Sequence, residues 1–339
     1  MKHLLFLYLA VLLFSCRTQP ALTEIKPTII TDKVPHDSDD PAIWINRANP
    51  EKSIVFGTDK DELNGGVYAF DLNGKIIPEK SITNIKYPNN VDIAYDFRIN
   101  DSTLTDILVF TEREQHQIRV YAVPSMMPLD NGGFKVFEDE AAIELKRPMG
   151  VGLYTQPETG KTYAIVSRKN GPAKNYLYQY ELLAEAGNLK ALLVRKFGNF
   201  SGKKEIEAIA VDNSLGFVYY SDEGAGIRKY FADPSKGNEE ISVFGGTHFK
   251  EDIEGIAIAA FQAEQGYLIV SNQQSHNFNI FRRVDNSFVK TINLGTIETD
   301  GCDVTPFSLG SKFPKGLFVS MNDQQNFYFH SLDSLQLAN

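Results

Sequence analysis

The sequence predicts an all-β fold, a six-bladed β-propeller, and two observations support this prediction. Short β-rich segments recur along most of the 339-residue chain and are separated by turns rich in Gly, Asn and Asp. These segments form six sets of three matching strands, spaced by roughly 47 to 58 residues, which is the blade period of a propeller. A pair of β-sandwich domains, the rival architecture, would not repeat one triplet six times.

The three strands of each set have distinct patterns. First strands begin with polar residues, continue with small or branched apolar ones, and start at Asp39, Asn90, Pro148, Glu205, Asp252 and Asp300. Second strands are apolar, end in polar residues, and start at Ser53, Asp106, Thr162, Gly216, Gly266 and Gly316. Third strands are aromatic and alternating, and start at Val67, Ile118, Tyr176, Ile227, Phe278 and Asn326.

The remaining segments complete the blades. Residues 190–197 and 288–294 are expected to form outer, fourth strands. Residues 28–34 are expected to join the last blade and so close the ring. Helical periodicity is rare, and residues 182–191 are the short segment for which it predicts a helix.

The N-terminal segment is predicted to be a targeting signal. Basic residues precede an apolar run over residues 4–14, which is too short to span a bilayer and suits the core of a signal peptide. A small residue followed by Cys16 is typical of a bacterial lipoprotein signal, in which cleavage leaves Cys16 lipidated. An ordinary secretory signal with an incidental cysteine is the alternative.

These patterns divide the chain into a signal peptide at 1–16, a tether at 17–27 and the propeller at 28–337. The protein is then exported and lipid-anchored to the bacterial cell envelope, on its periplasmic or outer-membrane face, or otherwise secreted. Cys302 remains as the one other thiol, so the mature chain has no disulfide. A formal net charge of -9 disfavours nucleic acid and other polyanions unless cations mediate. We expect a monomer.

Polar residues at the starts of first strands and the ends of second strands should converge, because first strands line the central channel of a propeller. From the first strands these are Asp39, Asp40, Asp92, Glu205, Glu207, Asp252, Glu254, Asp300 and Asp303. From the second strands they are Asp59, Lys60, Glu112, Arg113, Arg168, Lys169, Asp222, Glu223, Gln273, Asn322 and Asp323.

This acidic ring favours a hard cation. Clustered carboxylates repel one another, and Ca²⁺ takes six to eight oxygen ligands in irregular geometry. Zinc is disfavoured because the six histidines are scattered and none pairs with a cysteine at ligand spacing. The sequence has no GxSxG elbow, phosphate-binding glycine loop or dinucleotide fingerprint.

Four cations occupy equivalent blade positions within the ring: Lys60, Arg113, Arg168 and Lys169. Cations beside bound metals suit an anionic substrate, and the planar guanidinium of Arg matches phosphate oxygens. Pairing with neighbouring acids is the alternative.

At these residues the chain resembles the bacterial β-propeller phytases, also called alkaline phytases. The matching stretches follow the family's order: DDPAIW at Asp39, NNVDIAYDF at Asn89, TGKTYAIV at Thr159, EAIAVD at Glu207, DIEGIAI at Asp252, TDGCDV at Thr299 and QNF at Gln325. They cover nearly the whole propeller.

The resemblance implies a phosphoric monoester hydrolase of the 3-phytase type, which uses several calcium ions and acts on phytate (myo-inositol hexakisphosphate) or calcium-phytate. The implied metal ligands are Asp39, Asp40, Glu207, Glu223, Asp252, Glu254, Gln273 and Asp300. The implied catalytic residues are Asp39, Asp40, Glu207, Glu223, Asp252 and Glu254. The implied substrate contacts are Lys60, Arg113, Tyr154 and Lys169. The implied nucleophile is a water bridging calcium ions, which attacks phosphorus in line.

Three departures from the family pattern concern the edge of this site. Asp61 stands where a second lysine is usual, Asn170 replaces a frequent acid, and the loops before Thr299 and Gln325 are short. They put a second phosphate pocket and one stabilising calcium site in question. Two other functions also fit an acidic propeller face: a calcium-dependent lactonase or phosphodiesterase, and a non-catalytic propeller that binds glycans or proteins.

Overall fold

The computed structural model describes residues 22–100, 102–185, 188–262 and 264–337. In chain order, the strands from the N-terminal side up to residue 168 are β1 (Ile29–Ile30), β2 (Ser38–Trp44), β3 (Ile54–Asp59), β4 (Gly65–Phe70), β5 (Ile82–Ile85), β6 (Pro88–Asn100), β7 (Thr103–Glu112), β8 (Gln117–Val123), β9 (Met127–Pro128), β10 (Phe134–Lys135), β11 (Pro148–Thr155) and β12 (Thr162–Arg168). The others are β13 (Lys174–Glu185), β14 (Asn188–Asn199), β15 (Ile209–Asp212), β16 (Phe217–Asp222), β17 (Gly226–Phe231), β18 (Ser242–Phe244), β19 (Ile256–Ala260), β20 (Gly266–Asn272), β21 (Asn277–Arg282), β22 (Phe288–Ile292), β23 (Cys302–Thr305), β24 (Leu317–Asn322) and β25 (Asn326–Ser331).

Helical structure in the described ranges is limited to short 3-10 turns. They cover Pro50–Lys52, Pro78–Lys80, Arg113–Gln115, Ile143–Leu145, Pro234–Lys236, Gly246–His248, Gln273–Ser275 and Leu332–Leu335. Among these described residues, no helix has the length and hydropathy needed to cross a lipid bilayer.

The strands form six antiparallel sheets arranged in a ring, which confirms the predicted six-bladed propeller. In blade order the sheets are β2-β3-β4-β5, β6-β7-β8-β10 with β9 also on β8, β11-β12-β13-β14, β15-β16-β17-β18, β19-β20-β21-β22 and β23-β24-β25-β1. The innermost strands contact one another in a closed cycle: β2 with β6, β6 with β11, β11 with β15, β15 with β19, β19 with β23, and β23 with β2.

The ring closes through the N-terminal strand, as predicted. Ile29 of β1 pairs with Phe329 of β25, so the last blade takes its outer strand from the start of the propeller. Upstream, the backbone N–H of Ile25 donates to the carbonyl of Asn293 at 2.8 Å. The predicted signal peptide, its lipidation residue Cys16 and residues 17–21 of the predicted tether lie outside the described residues.

The hydrophobic core lies between neighbouring blades. One face of a blade is covered by the preceding blade and the other face by the following blade, and strands buried on both faces are predominantly apolar. Val55 and Phe70 of blade 1 pack with Phe327 of blade 6. Trp44 lies between blades 1 and 2, and its indole Nε1 donates to Asp106 Oδ2 at 2.8 Å. Full burial of one such large apolar side chain contributes about 1.5–3 kcal/mol to stability.

The helix predicted at 182–191 is wrong. This segment joins β13 to β14, with Leu182 opposite Ala191 and Leu183 opposite Lys190. Leu182 and Leu189 are buried against Phe97 of blade 2. Cross-strand pairing and this contact with the neighbouring blade override the weak local helical pattern.

Candidate active site

Strand ends from all six blades meet at one end of the channel, which we call the site face. In blade 1 the first residue of β2, Ser38, pairs with the last residue of β3, Asp59. In blade 3, Pro148 pairs with Arg168 in the same way. Antiparallel pairing therefore brings first-strand starts and second-strand ends to the same place, as the sequence pattern predicts.

The centre of the site face is a hydrogen-bonded group that contains four predicted residues, Lys60, Asp39, Glu207 and Asp300, together with Asn89. Lys60 Nζ lies 3.3 Å from Asp39 Oδ1 and also contacts Asp300. Asn89 Nδ2 donates to Asp39 Oδ2 at 3.0 Å and to Glu207 Oε1 at 3.3 Å. Carboxylates of blades 1, 4 and 6 are thus joined through one ammonium and one amide group.

Beside this centre lie three further acids, which we call the carboxylate trio: Glu223, Asp252 and Glu254. Each offers one carboxylate oxygen, and these oxygens lie within 4.8 Å of one another. Gln273 Nε2 donates to Glu254 Oε2 at 2.6 Å and to Asp300 Oδ1 at 2.7 Å. This amide connects the trio to the central group, so the two form one continuous site.

Three predicted acids lie deeper, in the channel, and bridge blades. Asp40 Oδ2 accepts the backbone N–H of Val91 at 3.0 Å, and Asp92 Oδ2 accepts that of Leu153 at 2.7 Å. Asp303 makes the same contact from blade 6 to blade 1 at 2.7 Å. Burial raises the pKa of Asp40 well above its usual value, that of Asp92 to about 7 and that of Asp303 to about 6. The carboxylates thus accept hydrogen bonds from backbone N–H groups of the innermost strands, which in the described part of the chain have no further strand beside them to pair with.

Besides Lys60, two predicted cations lie at the site face: Arg113 and Lys169. Arg113 is buried, its guanidinium carbon is 4.0 Å from the centroid of the Tyr87 ring, and its Nη2 is 2.6 Å from Met149 Sδ. Lys169 is partly exposed, and its Nζ is 2.5 Å from Glu205 Oε2. The ring of Tyr87 holds the Arg113 guanidinium in one orientation by a cation–π contact.

Two other predicted residues point elsewhere. Arg168 is fully buried and pairs with Glu140 at 2.6 Å, because adjacent residues of a strand face opposite sides. Tyr154 is buried and stacks on Tyr163, with ring centroids 6.1 Å apart. It lies six residues beyond Pro148 along β11, which is about 20 Å from the site face. Its position therefore does not support a contact with substrate phosphates.

The structure adds site residues that the sequence pattern missed. Asn89 bridges two carboxylates, although its amide carries no charge that would mark it. Lys204 contacts Asp252, and Gln274 Nε2 donates to Asp252 Oδ2 at 2.5 Å. Lys204 lies in a loop before the first strand of blade 4, so it is not among the strand-end positions that the repeat compares. Its place directly before Glu205, the acidic start of that segment, is the one feature of the sequence that could have indicated a role in the site.

Burial makes these acids hard to ionise without a cation. Desolvation, followed by charge repulsion, raises the pKa of Glu207 to about 8, that of Glu223 to about 9 and that of Glu254 to about 12. Desolvation, opposed by the Lys60 ammonium, raises the pKa of Asp39 to about 6. Burial disfavours the Lys60 ammonium, but the surrounding carboxylates outweigh burial and raise its pKa.

The residues fit a hard divalent cation. Glu223 is almost fully buried, and within the described chain its Oε1 has no hydrogen-bond partner. A buried carboxylate oxygen without a partner is costly, and a cation would satisfy it. All three donors of the trio are oxygen, which suits calcium or magnesium rather than zinc.

Comparisons with known proteins agree with this architecture. Solved structures at 10% identity show the fold alone: a chain of the mitotic checkpoint complex has a TM-score of 0.51 and covers 95% of this chain and 98% of its own. The beta-propeller domain of Swd1 from Myceliophteria thermophila has a TM-score of 0.50, with 86% and 83% covered. A 3-phytase of Bacillus subtilis (strain 168) is 30% identical over 319 residues, which are 90% of this chain and 78% of that protein. The family model described as Phytase matches residues 10–329. The chain therefore belongs to the phytase family.

Proposed function

We propose that this chain is a calcium-dependent phytase, which hydrolyses phosphate monoesters of myo-inositol hexakisphosphate. One observation carries the proposal: the trio acids Glu223 and Asp252 line a cavity of about 400 Å³ together with Lys169 and Lys204. Oxygen donors for a cation beside ammonium groups suit a substrate that carries several phosphates. Family membership and the similarity to a 3-phytase support phytate as that substrate.

We propose that calcium is held by the trio (Glu223, Asp252 and Glu254), by Gln273, Asp300, Asp39 and Glu207 of the continuous site, and by Asp40, which lies deeper in the channel. When bound, calcium lowers the pKa of water and neutralises charge that develops on phosphoryl oxygens. Gln273 and Asn89 hold the carboxylates in place, since each amide bridges two of them. The acids act as metal ligands, so no protein nucleophile is required.

The cations would bind and orient the substrate. We propose that Arg113, fixed by Tyr87, and Lys169, at the cavity, contact phosphate oxygens on two sides of the carboxylates. Lys60 lies among the acids themselves, so its contact with a phosphate requires that calcium first neutralises Asp39 and Asp300. Binding one phosphate by these groups positions a second one for hydrolysis.

The lactonase or phosphodiesterase alternative and the non-catalytic alternative are less well supported. A lactone carries no phosphate to engage Arg113 and Lys169. Trp44, the single tryptophan, is buried between blades and so is withdrawn from sugar binding. A diester shares the phosphate chemistry, and the assay below separates it from a monoester.

We also propose that the protein is exported and lipid-anchored through Cys16 and acts as a monomer. An apolar run over residues 4–14 before Cys16 supports the anchor. In cells that express the full chain, C16S is expected to move the protein from the membrane fraction to the soluble fraction. Fractionation of the two proteins alike would contradict the anchor.

The central test is phosphate release from phytate by the purified protein. We expect release with calcium, loss of release with a chelator, and little hydrolysis of bis(p-nitrophenyl) phosphate or a simple lactone. Asp252→Asn is expected to reduce the rate at least roughly 100-fold, because it removes a charged metal ligand. Glu79→Gln, at an exposed position in blade 1, is the matched control. A protein that releases no phosphate from phytate with calcium, between mildly acidic and alkaline pH, would refute the proposal.

A further inference from the structure

Lys204 occupies an unusual place beside the carboxylate trio. Its ammonium contacts Asp252, and its Nζ is also 3.2 Å from Glu251 Oε2. Asp252 is a member of the trio, so one of its oxygens already has a positive partner before any metal binds. The Lys204 side chain is 38% exposed, which leaves it free to move away from this contact.

The same cavity holds a second pair of the same kind. Lys169 Nζ lies 2.5 Å from Glu205 Oε2, and Lys169 and Lys204 both line the cavity of about 400 Å³. Glu223, which also lines it, keeps a buried Oε1 that lacks a hydrogen-bond partner among the described residues. The cavity thus contains a buried carboxylate oxygen without a hydrogen-bond partner in the described ranges, on Glu223, beside two ammonium groups that are each paired with another acid.

We propose that Lys204 alternates between two partners: the Asp252 carboxylate in the metal-free protein, and a substrate phosphate once a divalent cation has taken that carboxylate. The inference rests on the proposed function and extends it to a residue outside the predicted site. An ammonium and a divalent cation cannot both neutralise the same carboxylate oxygen without repelling each other. Metal binding at the trio therefore releases Lys204 into the cavity, where it joins Lys169 as a second phosphate contact.

This exchange has two effects of opposite sign. Lys204 weakens the affinity for the cation, because the cation must displace it and then binds close to its charge. It strengthens the affinity for a polyphosphorylated substrate, since the released ammonium is a point charge for phosphate. A residue with a purely structural role would not change the two affinities in opposite directions.

The experiment compares the wild type with Lys204→Gln, Lys204→Arg and Lys203→Gln. Lys203 is the matched control, because its ammonium donates to a backbone carbonyl, that of Gly224, at 2.6 Å rather than to a carboxylate. Calcium affinity is measured by titration calorimetry without substrate, and KM and kcat for phytate are measured at saturating calcium. Circular dichroism verifies that each variant is folded.

For K204Q we expect calcium to bind roughly three- to tenfold more tightly, KM for phytate to rise roughly fivefold or more, and kcat to change little. K204R should restore KM, and K203Q should match the wild type in both measurements. An unchanged calcium affinity or an unchanged KM in folded K204Q would overturn the proposal. A wild type that binds no calcium or releases no phosphate would overturn both this inference and the proposed function.

Discussion

The burial of Glu223 has a testable consequence for stability. Burial raises its pKa from an ordinary value of 4.5 to about 9 in the metal-free protein, and the side chain is almost fully buried. Between these two values the folded protein keeps a proton that the unfolded chain has lost. The free energy of unfolding therefore falls as pH rises from about 4.5 towards 9, by up to about 1.4 kcal/mol per pH unit from this one group.

Glu223→Gln removes this dependence, because glutamine is neutral at every pH and nearly the same size. At pH 7 the accumulated loss in the wild type is about 3 kcal/mol, so the variant should be more stable by up to that amount in the presence of a chelator. At pH 5 the two proteins should differ little. In calcium the order should reverse, since the wild type gains the binding energy of the ion and the variant lacks a charged ligand.

The assay is urea unfolding of both proteins in chelator at several pH values between 5 and 9. The difference between the two curves isolates Glu223, because the other buried acids are present in both proteins. Exposed Glu79→Gln is the control and should follow the wild type. Free energies of unfolding that stay parallel from pH 5 to pH 9 would refute the reasoning.

Two further predictions concern residues away from the proposed metal ligands. Tyr154→Phe should leave KM for phytate within about twofold of the wild type, because residue 154 lies about 20 Å from the site face along β11. A KM increased tenfold or more would show that this residue contacts the substrate. Arg283→Met should lower the free energy of unfolding, measured in urea, by about 3–5 kcal/mol. The reason is that Arg283 of blade 5 makes two hydrogen bonds of 2.6 Å to the buried Asp212 of blade 4, and the variant leaves that carboxylate without them. A decrease below about 1 kcal/mol would contradict this prediction.

The six-fold repeat of the sequence predicted which residues lie together wherever they occupy equivalent positions in the blades. Asp39, Glu207 and Asp300 occupy comparable first-strand starts, and the geometry of a closed ring brings such positions together. Glu223 and Gln273 follow from the ends of the second strands in the same way. The repeat therefore predicts which strand ends meet, because pairing within a blade and packing between blades fix their relative height.

What the register could not supply was the direction and partner of each side chain. Arg168 and Lys169 are neighbours, yet only Lys169 faces the site, because successive residues of a strand point to opposite faces. A substrate contact for Tyr154 is implied by the family resemblance alone, and its position near the far end of β11 places it away from the strand start. Lys204 lies in a loop, and its contact with Asp252 depends on a loop conformation that no strand pattern predicts.

The raised pKa values of the acids also predict how the proposed calcium binding should depend on pH. Glu207 and Glu223, with pKa values raised to about 8 and about 9, hold protons at pH 7 that calcium ligation must remove. Calcium affinity should therefore rise with pH up to about 9, by as much as tenfold per unit for each proton released. Titration calorimetry at pH 7 in buffers of different ionisation enthalpy counts these protons directly, and we expect at least one per molecule. If no proton were released, the acids would already be ionised before calcium binds. Lys60 and Lys204 would then stabilise more of the carboxylates than the three that they contact, Asp39, Asp300 and Asp252.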